Sequence, residues 1–145
     1  MSLNDFAYFQ IYTKALLKRD KEILLLITND GYYDFPGGRM DKSEIDFDLE
    51  KILIRELQEE LGKNLKFKIN DIVFAAKRHY DKNNLDHHVL ALFFEVNYLA
   101  GNILLSDEHV KSQWIDPKSI LKYPQKFISQ DEYNQFKKYC HQTNL

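Results

Sequence analysis

The sequence predicts an α+β domain, an α/β/α sandwich in which helices flank both faces of a mixed β-sheet. Strand-like and helix-like segments interleave along the chain, but without the regular strand–helix–strand rhythm of a doubly wound sheet. One helical segment, residues 48–61, carries an apolar face at helical spacing. A chain of 145 residues is long enough for one hydrophobic core and short for two, so we predict a single domain over residues 1–145.

Four stretches rich in aromatic and branched apolar residues predict the main strands of the sheet. They are residues 6–18, 22–28, 67–76 and 87–99. A shorter strand is expected at residues 113–116, after a loop. Residues 81–84 are polar and predict a turn, as does Asn29-Asp30-Gly31.

The helix predicted over residues 48–61 has its apolar residues within an arc of about 100° on a helical wheel. This predicted buried face consists of Leu53, Ile54, Leu57 and Leu61. Gly62 follows as a stop signal. Towards the end of the chain, Asp116 is expected to cap a short helix that starts at Pro117, and Ser129 to cap a longer one.

Composition excludes several classes of function. The net charge of −2 gives the protein no overall field that would attract DNA, RNA or an anionic membrane. The longest apolar runs are far shorter than the roughly 20 residues that a membrane span needs. The single cysteine, Cys140, allows no internal disulfide, and the N-terminal residues lack the pattern of a signal peptide. We therefore expect a cytoplasmic protein with no nucleic acid or membrane partner.

Three glutamates of the predicted helix form a second face. Glu56, Glu59 and Glu60 share an arc of about 100° that lies apart from the leucine face. Like charges three and four residues apart destabilise a helix by roughly 0.2–0.5 kcal/mol per pair, and the helix dipole adds to this cost. A divalent cation would offset it, and Mg²⁺ is the usual ion when phosphate oxygens complete the shell. The alternative is an acidic helix face in contact with solvent alone.

The residues upstream of this helix distinguish the two interpretations. Phe35-Pro36-Gly37-Gly38 is followed by Glu44, then by the acidic helix and its terminal glycine. This arrangement resembles the signature of the Nudix hydrolase family, G-x5-E-x7-R-E-U-x-E-E-x-G-U, where U is a bulky aliphatic residue. Gly38 and Glu44 match the first spacing, and the segment from Arg55 to Gly62 matches the second block residue for residue.

The chain departs from the signature in two places. Ten residues, 45–54, separate Glu44 from Arg55 where the family has seven, which makes an insertion of three. Lys63 stands where the last aliphatic residue is expected. The insertion precedes the glutamate cluster and leaves its internal spacing unchanged. It bears instead on Glu44, whose implied role is to hold Arg55 and brace the loop.

The resemblance implies a role for each residue of the signature. Glu56 and Glu60 would be the principal metal ligands, with Glu59 as a further ligand or a residue that orients the attacking water. The backbone carbonyl of Gly38 is another candidate ligand, and Arg55 would orient the glutamate side chains. The implied cofactor is Mg²⁺, with Mn²⁺ as an alternative.

Residues outside the helix complete the predicted site. Glu108, with Asp107 as an alternative, lies in a loop where the family often carries a general base, although a solvated loop charge explains it equally well. Arg39, Phe35 and Tyr80 are candidate substrate contacts. For Phe35, whose ring could stack on a base, core packing is the favoured alternative.

The implied reaction is hydrolysis of a pyrophosphate bond in a nucleoside diphosphate linked to another moiety, as in a nucleoside triphosphate, a dinucleoside polyphosphate or a nucleotide sugar. The alternative is a catalytically inactive domain of the same fold that binds a nucleotide and regulates another process, although all three late glutamates are present. A generic interaction domain would not explain Gly38, Glu44, Arg55 and Gly62 together. The expected partner is a small-molecule nucleotide, and the resemblance is compatible with a homodimer.

Overall fold

The computed structural model describes residues 2–106 and 111–145, and within them the chain forms one sheet of seven strands. The strands are β1 (Gln10–Arg19), β2 (Glu22–Ile27), β3 (Tyr33–Asp34), β4 (Gly37–Arg39), β5 (Lys66–Lys82), β6 (Leu85–Ala100) and β7 (Lys111–Ile115). The helices are α1 (Leu49–Leu61), α2 (Pro117–Ile120) and α3 (Gln130–Gln142), with 3-10 turns at Leu3–Asp5, Lys42–Glu44 and Pro124–Lys126. No helix in these two stretches is long and apolar enough to cross a membrane.

The main strands follow the order β3-β2-β1-β6-β5, with β4 also paired to β1 and β7 to β2. β1 runs parallel to β6, and the other pairs are antiparallel. The sheet is therefore mixed, and the predicted α+β class is confirmed. Because β1 lies in the middle of the sheet, its residues Ala15, Leu16 and Leu17 are all fully buried.

Two hydrophobic clusters lie on opposite faces of the sheet, because successive strand residues point to opposite sides. On one face Leu17 belongs to a cluster with Leu57 of α1. On the other face Leu16 belongs to a cluster with Phe136 of α3. The two long helices thus cover opposite faces of the sheet and complete the predicted sandwich.

α1 matches the predicted helix to within one residue, with Asp48 at its N-cap position. Gly62 ends it at a positive φ of 95°, and its N–H donates to the Gln58 carbonyl oxygen at 3.1 Å. The predicted buried face is wrong at one position, since Ile54 is 38% exposed. Ile54 lies about 60° from Leu57 on the helical wheel, at the edge of the apolar arc and away from the sheet.

β5 and β6 form a hairpin that is longer than the sequence predicts. β5 continues to Lys82 and β6 begins at Leu85, so only Asn83 and Asn84 form the turn. Both asparagines have a positive φ, which this residue type tolerates. The predicted turn over 81–84 is therefore wrong for its first two residues. Polar residues can continue the two strands because the pairing uses backbone groups.

Smaller differences occur at other boundaries. β1 starts at Gln10 rather than at residue 6, and β7 starts at Lys111 rather than 113. The aromatic residues before Gln10 favour a strand by composition, but the pairing of β1 with β6 begins only at Gln10. Both predicted caps of the last two helices are present, with Asp116 and Ser129 accepting hydrogen bonds from backbone N–H groups.

Candidate active site

A cavity of about 360 Å³ opens where the carboxylate face of α1 meets β1 and β4. Its lining residues are Tyr12, Lys14, Asp34, Gly37, Gly38, Arg39, Asp41, Glu56, Glu60 and Arg78. Apart from the two glycines, every one of them carries a polar or charged side chain. The helix contributes carboxylates and the sheet contributes cations, so opposite charges border the same space.

The glycine pair of β4 brings the backbone close to β1 and α1. Gly37 has a positive φ of 132°, and a Cβ there would overlap the Thr13 carbonyl oxygen of β1. A Cβ on Gly38 would overlap the Glu56 carboxylate. Because no side chain intervenes, the Gly37 N–H can donate to Glu60 Oε1 at 2.9 Å. The glycines therefore allow β4 to lie close to both β1 and the carboxylates of α1.

Glu56 and Glu60 lie one helical turn apart, and both line the cavity. Glu60 is buried, with 5% of its surface exposed. Burial raises the pKa of Glu56, while the Arg55 guanidinium opposes the rise. Two neighbouring carboxylates with little access to solvent form an arrangement that a hard divalent cation with oxygen ligands would stabilise.

Arg55 connects the residues of the predicted signature. Its Nε and Nη2 donate to the two carboxylate oxygens of Glu44, each at 2.6 Å. Its Nη1 donates to Glu59 at 3.0 Å, and Nη2 also reaches Glu56 Oε1 at 2.8 Å and the Arg39 carbonyl oxygen at 3.1 Å. The hydrogen bond with Glu44 is the main cause of a raised pKa for Arg55. We call Arg55, Glu44, Glu56 and Glu59 the arginine network.

Glu44 holds Arg55 in spite of the three-residue insertion. It is buried, and its Oε1 also accepts from the Asp41 N–H at 2.9 Å. The hydrogen bond from Arg55 holds the pKa of Glu44 below its usual range, although burial opposes this. Between the 3-10 turn and α1, a turn over residues 45–47 exposes Ile45 and Phe47. The added length is therefore accommodated at the surface, and the predicted contact of Glu44 with Arg55 is present.

Glu59 differs from the other two glutamates of the helix face. Its side chain is 62% exposed, and it is not among the residues that line the cavity. Arg55 holds it at the outer side of the arginine network. The structure thus brings Gly38, Glu56 and Glu60 together and places Glu59 beside them, where its role as ligand or water-orienting residue stays a prediction.

A group of buried charges that the sequence did not predict forms another part of the cavity wall. Lys14 Nζ lies 3.1 Å from Asp34 Oδ1 and also donates to two backbone carbonyl oxygens. Arg78 donates to the same Asp34 oxygen at 3.1 Å through Nη2, and to Glu132 Oε1 at 2.6 Å through Nε. We call Lys14, Asp34, Arg78 and Glu132 the ionic cluster.

The four charges of the ionic cluster depend on one another, because burial disfavours each of them alone. Burial acts to lower the pKa of Arg78, but Glu132 and Asp34 outweigh it and raise the pKa. Burial raises the pKa of Glu132 against the opposing effect of Arg78. Both cations line the cavity and Glu132 does not, so the cluster presents Lys14 and Arg78 to a ligand together with Asp34.

Some sequence features could have indicated this cluster. Lys14 directly precedes the apolar residues Ala15, Leu16 and Leu17 of β1, where a buried charge needs a partner. Glu132 lies three residues after the cap Ser129, which favours a second cap interaction, but its side chain bonds Arg78 instead. The partners are 20 to 54 residues apart in the chain, so local patterns do not identify them.

Of the three predicted substrate contacts, only Arg39 lines the cavity. Phe35 is fully buried and packs against Phe93 and Phe136, with ring centroids 5.6 and 5.5 Å away. Its prediction as a substrate contact is therefore wrong. The neighbouring Asp34 lines the cavity, and the next residue in an extended chain points to the opposite side, which here is the core.

Tyr80 is half-buried, and the side chain of Tyr12 lies between it and the cavity. Its hydroxyl lies 3.3 Å from the hydroxyl of Tyr12, and Tyr12 is the residue that lines the cavity. The predicted general base Glu108 and its alternative Asp107 lie outside the described residues.

Comparisons with known proteins agree with this geometry. The sequence profile of the NUDIX domain matches residues 10–136. No curated protein sequence matches the chain significantly.

Many solved structures share the fold. A MutT protein from Methanosarcina mazei is 25% identical, with a TM-score of 0.73 over 94% of this chain and 96% of its own. An ADP-ribose pyrophosphatase from Streptococcus suis is 21% identical, with a TM-score of 0.68 over 94% and 92%. An Ap4A hydrolase from C. elegans is 18% identical, with a TM-score of 0.67 over 93% and 98%. The prediction of a hydrolase of pyrophosphate bonds is confirmed at the level of the family, and the chain belongs to the NUDIX domain family.

Proposed function

We propose that the chain uses Mg²⁺ to hydrolyse a pyrophosphate bond in a nucleoside diphosphate linked to another moiety, with residues 1–145 acting as one domain. Mn²⁺ is the alternative ion. One observation carries the proposal: Glu56, Glu60 and the glycine pair border the same cavity as the cations of the ionic cluster. Carboxylate oxygens suit the metal ion, and Lys14 and Arg78 suit the anionic or polar groups of a nucleotide.

The residues present fit a hard divalent cation. Glu56 and Glu60 offer carboxylate oxygens one helical turn apart, and the absence of a side chain at Gly38 leaves room for Glu56. We expect these two carboxylates and the Gly38 carbonyl oxygen to hold the ion. Bound there, Mg²⁺ would neutralise charge on the phosphate and lower the pKa of a water molecule.

Hydrogen bonds from other parts of the protein orient these two carboxylates. The Arg55 guanidinium bonds Glu56 at 2.8 Å, and the Gly37 N–H bonds Glu60 at 2.9 Å. Glu44 in turn fixes Arg55 through two short hydrogen bonds. Ligands whose orientation is already set lose less side-chain freedom on binding, which favours both affinity and correct geometry.

A carboxylate must also accept the proton of the attacking water. Glu59 is exposed and, within residues 2–106 and 111–145, it bonds Arg55 through Oε2, which leaves its Oε1 able to accept. Glu108 is the second predicted candidate, from outside the described residues. Because Glu59 lies beside Glu56 and Glu60 on the helix, we favour it as the residue that orients the water.

The polar cavity favours a substrate part that carries charge or several hydrogen-bonding groups. Arg39 lies exposed beside the glycine pair, where it can contact an anionic group that reaches the cavity from solvent. The names of the similar proteins given above refer to different substrates. Their shared fold therefore does not identify which nucleotide this chain would bind. The small-molecule nucleotide is thus the proposed partner, while the homodimer and the cytoplasmic location stay predictions.

A substrate panel combined with one substitution tests the proposal. Nucleoside triphosphates, ADP-ribose, dinucleoside polyphosphates and nucleotide sugars are incubated with Mg²⁺ or with a chelator, and products are separated by chromatography. On the best substrate, Glu60→Gln is expected to lower kcat/KM by more than about 100-fold, since even outer-shell residues of metal sites contribute about 10–100-fold. The glutamine still accepts from the Gly37 N–H, so the fold should persist, as circular dichroism would show.

Glu50→Gln is the matched control, because Glu50 is exposed in the first turn of the same helix and does not line the cavity. It should keep normal turnover. Full activity of Glu60→Gln would contradict the metal site. Binding of nucleotides without cleavage of any, measured by calorimetry, would instead support the inactive regulatory domain.

A further inference from the structure

The tip of the β5–β6 hairpin extends beyond the end of β1, the strand that pairs with the rest of β6. The pairing of β1 with β6 begins at Gln10 and Val89. In the described part of the chain, the β5 and β6 residues between 79 and 88 therefore pair only with each other. This tip is far from the fully buried strands of the sheet centre, and its side chains are largely exposed.

One face of the tip carries two adjacent cross-strand pairs of metal-binding residue types. His79 is opposite His88, and Asp81 is opposite Asp86. Residues two apart along a strand point to the same side, so all four side chains share one face. Directly opposed residues have Cβ atoms about 4.5–5.5 Å apart, which is close enough for one ion to contact both partners.

The distances among these side chains suit a single small ion. His79 Nε2 lies 3.3 Å from Asp86 Oδ1 and 3.9 Å from Asp81 Oδ1. The rings of His79 and His88 are nearly parallel, with centroids 4.7 Å apart. Ligand atoms of His79, Asp86 and His88 all lie within 4.8 Å of one another. Ligand atoms around a tetrahedral zinc ion are about 3.4 Å apart, so small side-chain rotations would close the site.

Charge gives an independent reason to expect a cation here. Directly opposed carboxylates such as Asp81 and Asp86 destabilise a strand pair. Among the described residues, neither of them forms an ion pair with a lysine or arginine. A bound divalent cation would remove this repulsion. Imidazole nitrogen with carboxylate oxygen suits Zn²⁺ and its neighbours in the first transition row, whereas Mg²⁺ takes oxygen ligands.

The opposite face of the tip is held by other contacts. His87 hydrogen-bonds Gln10 at 3.0 Å and stacks on Tyr80 with ring centroids 4.9 Å apart. These contacts fix the hairpin against β1 and leave the face with His79 and His88 open to solvent. On the face with His79 and His88, the Phe9 ring makes an edge contact with His88, with centroids 5.8 Å apart.

We propose that this face of the hairpin tip binds one Zn²⁺ ion through His79, His88 and Asp86, with Asp81 as a fourth ligand. The site is separate from the carboxylates of α1 and uses a different set of donor atoms. It requires nothing of the proposed hydrolase reaction. An ion bound there would clamp the two strands across their turn.

Zinc titration of tag-free protein by calorimetry, with excess Mg²⁺ present to occupy the carboxylates of α1, tests this site. Wild type should bind one equivalent of Zn²⁺, and the backbone amide NMR signals of residues 79–88 should shift. His79→Asn with His88→Asn should abolish the binding. His87→Asn, on the other face of the same strand, should keep it, and Glu60→Gln should keep it as well.

Two results would overturn the proposal. One is the absence of zinc binding by the wild type when Mg²⁺ is in excess. The other is zinc binding that survives loss of both His79 and His88, or that disappears in Glu60→Gln, because the ion would then lie at the carboxylates of α1. The histidines are exposed, so their substitution should leave the melting temperature of the metal-free protein unchanged and keep the test interpretable.

Discussion

Two groups of charged side chains adjoin the same cavity, and they differ in their exposure to solvent. In the arginine network the Arg55 side chain is 29% exposed, and its partners range from 4% for Glu44 to 62% for Glu59. In the ionic cluster no side chain exceeds 11%. Water can screen and replace contacts in the network, whereas the buried side chains of the cluster have little access to water and depend on partners within the protein.

The two groups also differ in how their members are spaced along the chain. The arginine network comes from one 3-10 turn and one helix, within residues 44–59. The ionic cluster joins β1, β3, β5 and α3, with partners 20, 44 and 54 residues apart. The network can therefore form locally, but the cluster forms only when the sheet and α3 have come together. Breaking single contacts in each group should give effects of very different size.

The largest effect is expected from Glu132→Gln in the ionic cluster. This change leaves the buried Arg78 guanidinium without its closest counter-charge. Removal of one partner of a buried pair typically costs about 3–5 kcal/mol. Urea unfolding at neutral pH, followed by circular dichroism, measures the loss in free energy of unfolding.

A double substitution sharpens this test. Arg78→Met with Glu132→Leu removes both charges at once, and apolar replacement of a buried pair is often neutral or stabilising. The double variant should therefore be more stable than Glu132→Gln alone, yet bind nucleotide more weakly, since Arg78 lines the cavity. A loss below about 1 kcal/mol in Glu132→Gln would contradict the expected ion pair and indicate that Glu132 is already neutral in the folded protein.

An intermediate effect is expected from Glu44→Gln in the arginine network. The change removes the charge from a bidentate pair whose two bonds measure 2.6 Å. We expect a loss of about 1–2 kcal/mol, below the full range for charged hydrogen bonds because Arg55 is partly exposed. Turnover should also fall, since Arg55 would no longer hold Glu56. Urea unfolding and steady-state kinetics measure the two effects.

The pH dependence of the free energy of unfolding gives a second test of the role of Glu44. The folded-state pKa of Glu44 is lowered, chiefly by the hydrogen bond from Arg55. The stabilisation is thus complete above the ordinary carboxyl pKa, about 4.3, and is lost as the pH falls through the lowered value. Glu44→Gln should therefore lose more stability relative to wild type at neutral pH than in acid. An equal deficit at both pH values would show that Glu44 does not act through its charge.

The difference between the two groups explains what the sequence could predict. The contacts of the arginine network follow from i,i+4 spacing on one helix and from a signature that survives a three-residue insertion. The order of the helices and of the longer strands was also predictable, because apolar periodicity is a local property, whereas the short strands β3 and β4 were not predicted. The ends of β5 and β6 were not, since strand pairing extends polar segments that have no apolar pattern.

The contacts of the ionic cluster could not be predicted from local sequence patterns. Asp34 and Phe35 are adjacent, yet one lines the cavity and the other is fully buried. The pairing of β3 with β2 sets which of the two side chains faces the cavity. Arg78 and Glu132 likewise become partners through the packing of α3 on β5, which no local spacing encodes.

The smallest effect is expected from Glu59→Gln, and it separates stability from function within the arginine network. Glu59 bonds the same Arg55 as Glu44 does, but its side chain is 62% exposed. An exposed i,i+4 pair contributes about 0.3–0.5 kcal/mol, so the free energy of unfolding should change by no more than that. If Glu59 orients the attacking water, kcat should still fall while the melting temperature stays constant. A change in stability comparable to that of Glu44→Gln would mean that solvent does not screen this pair. A normal kcat would mean that a residue outside α1 accepts the proton.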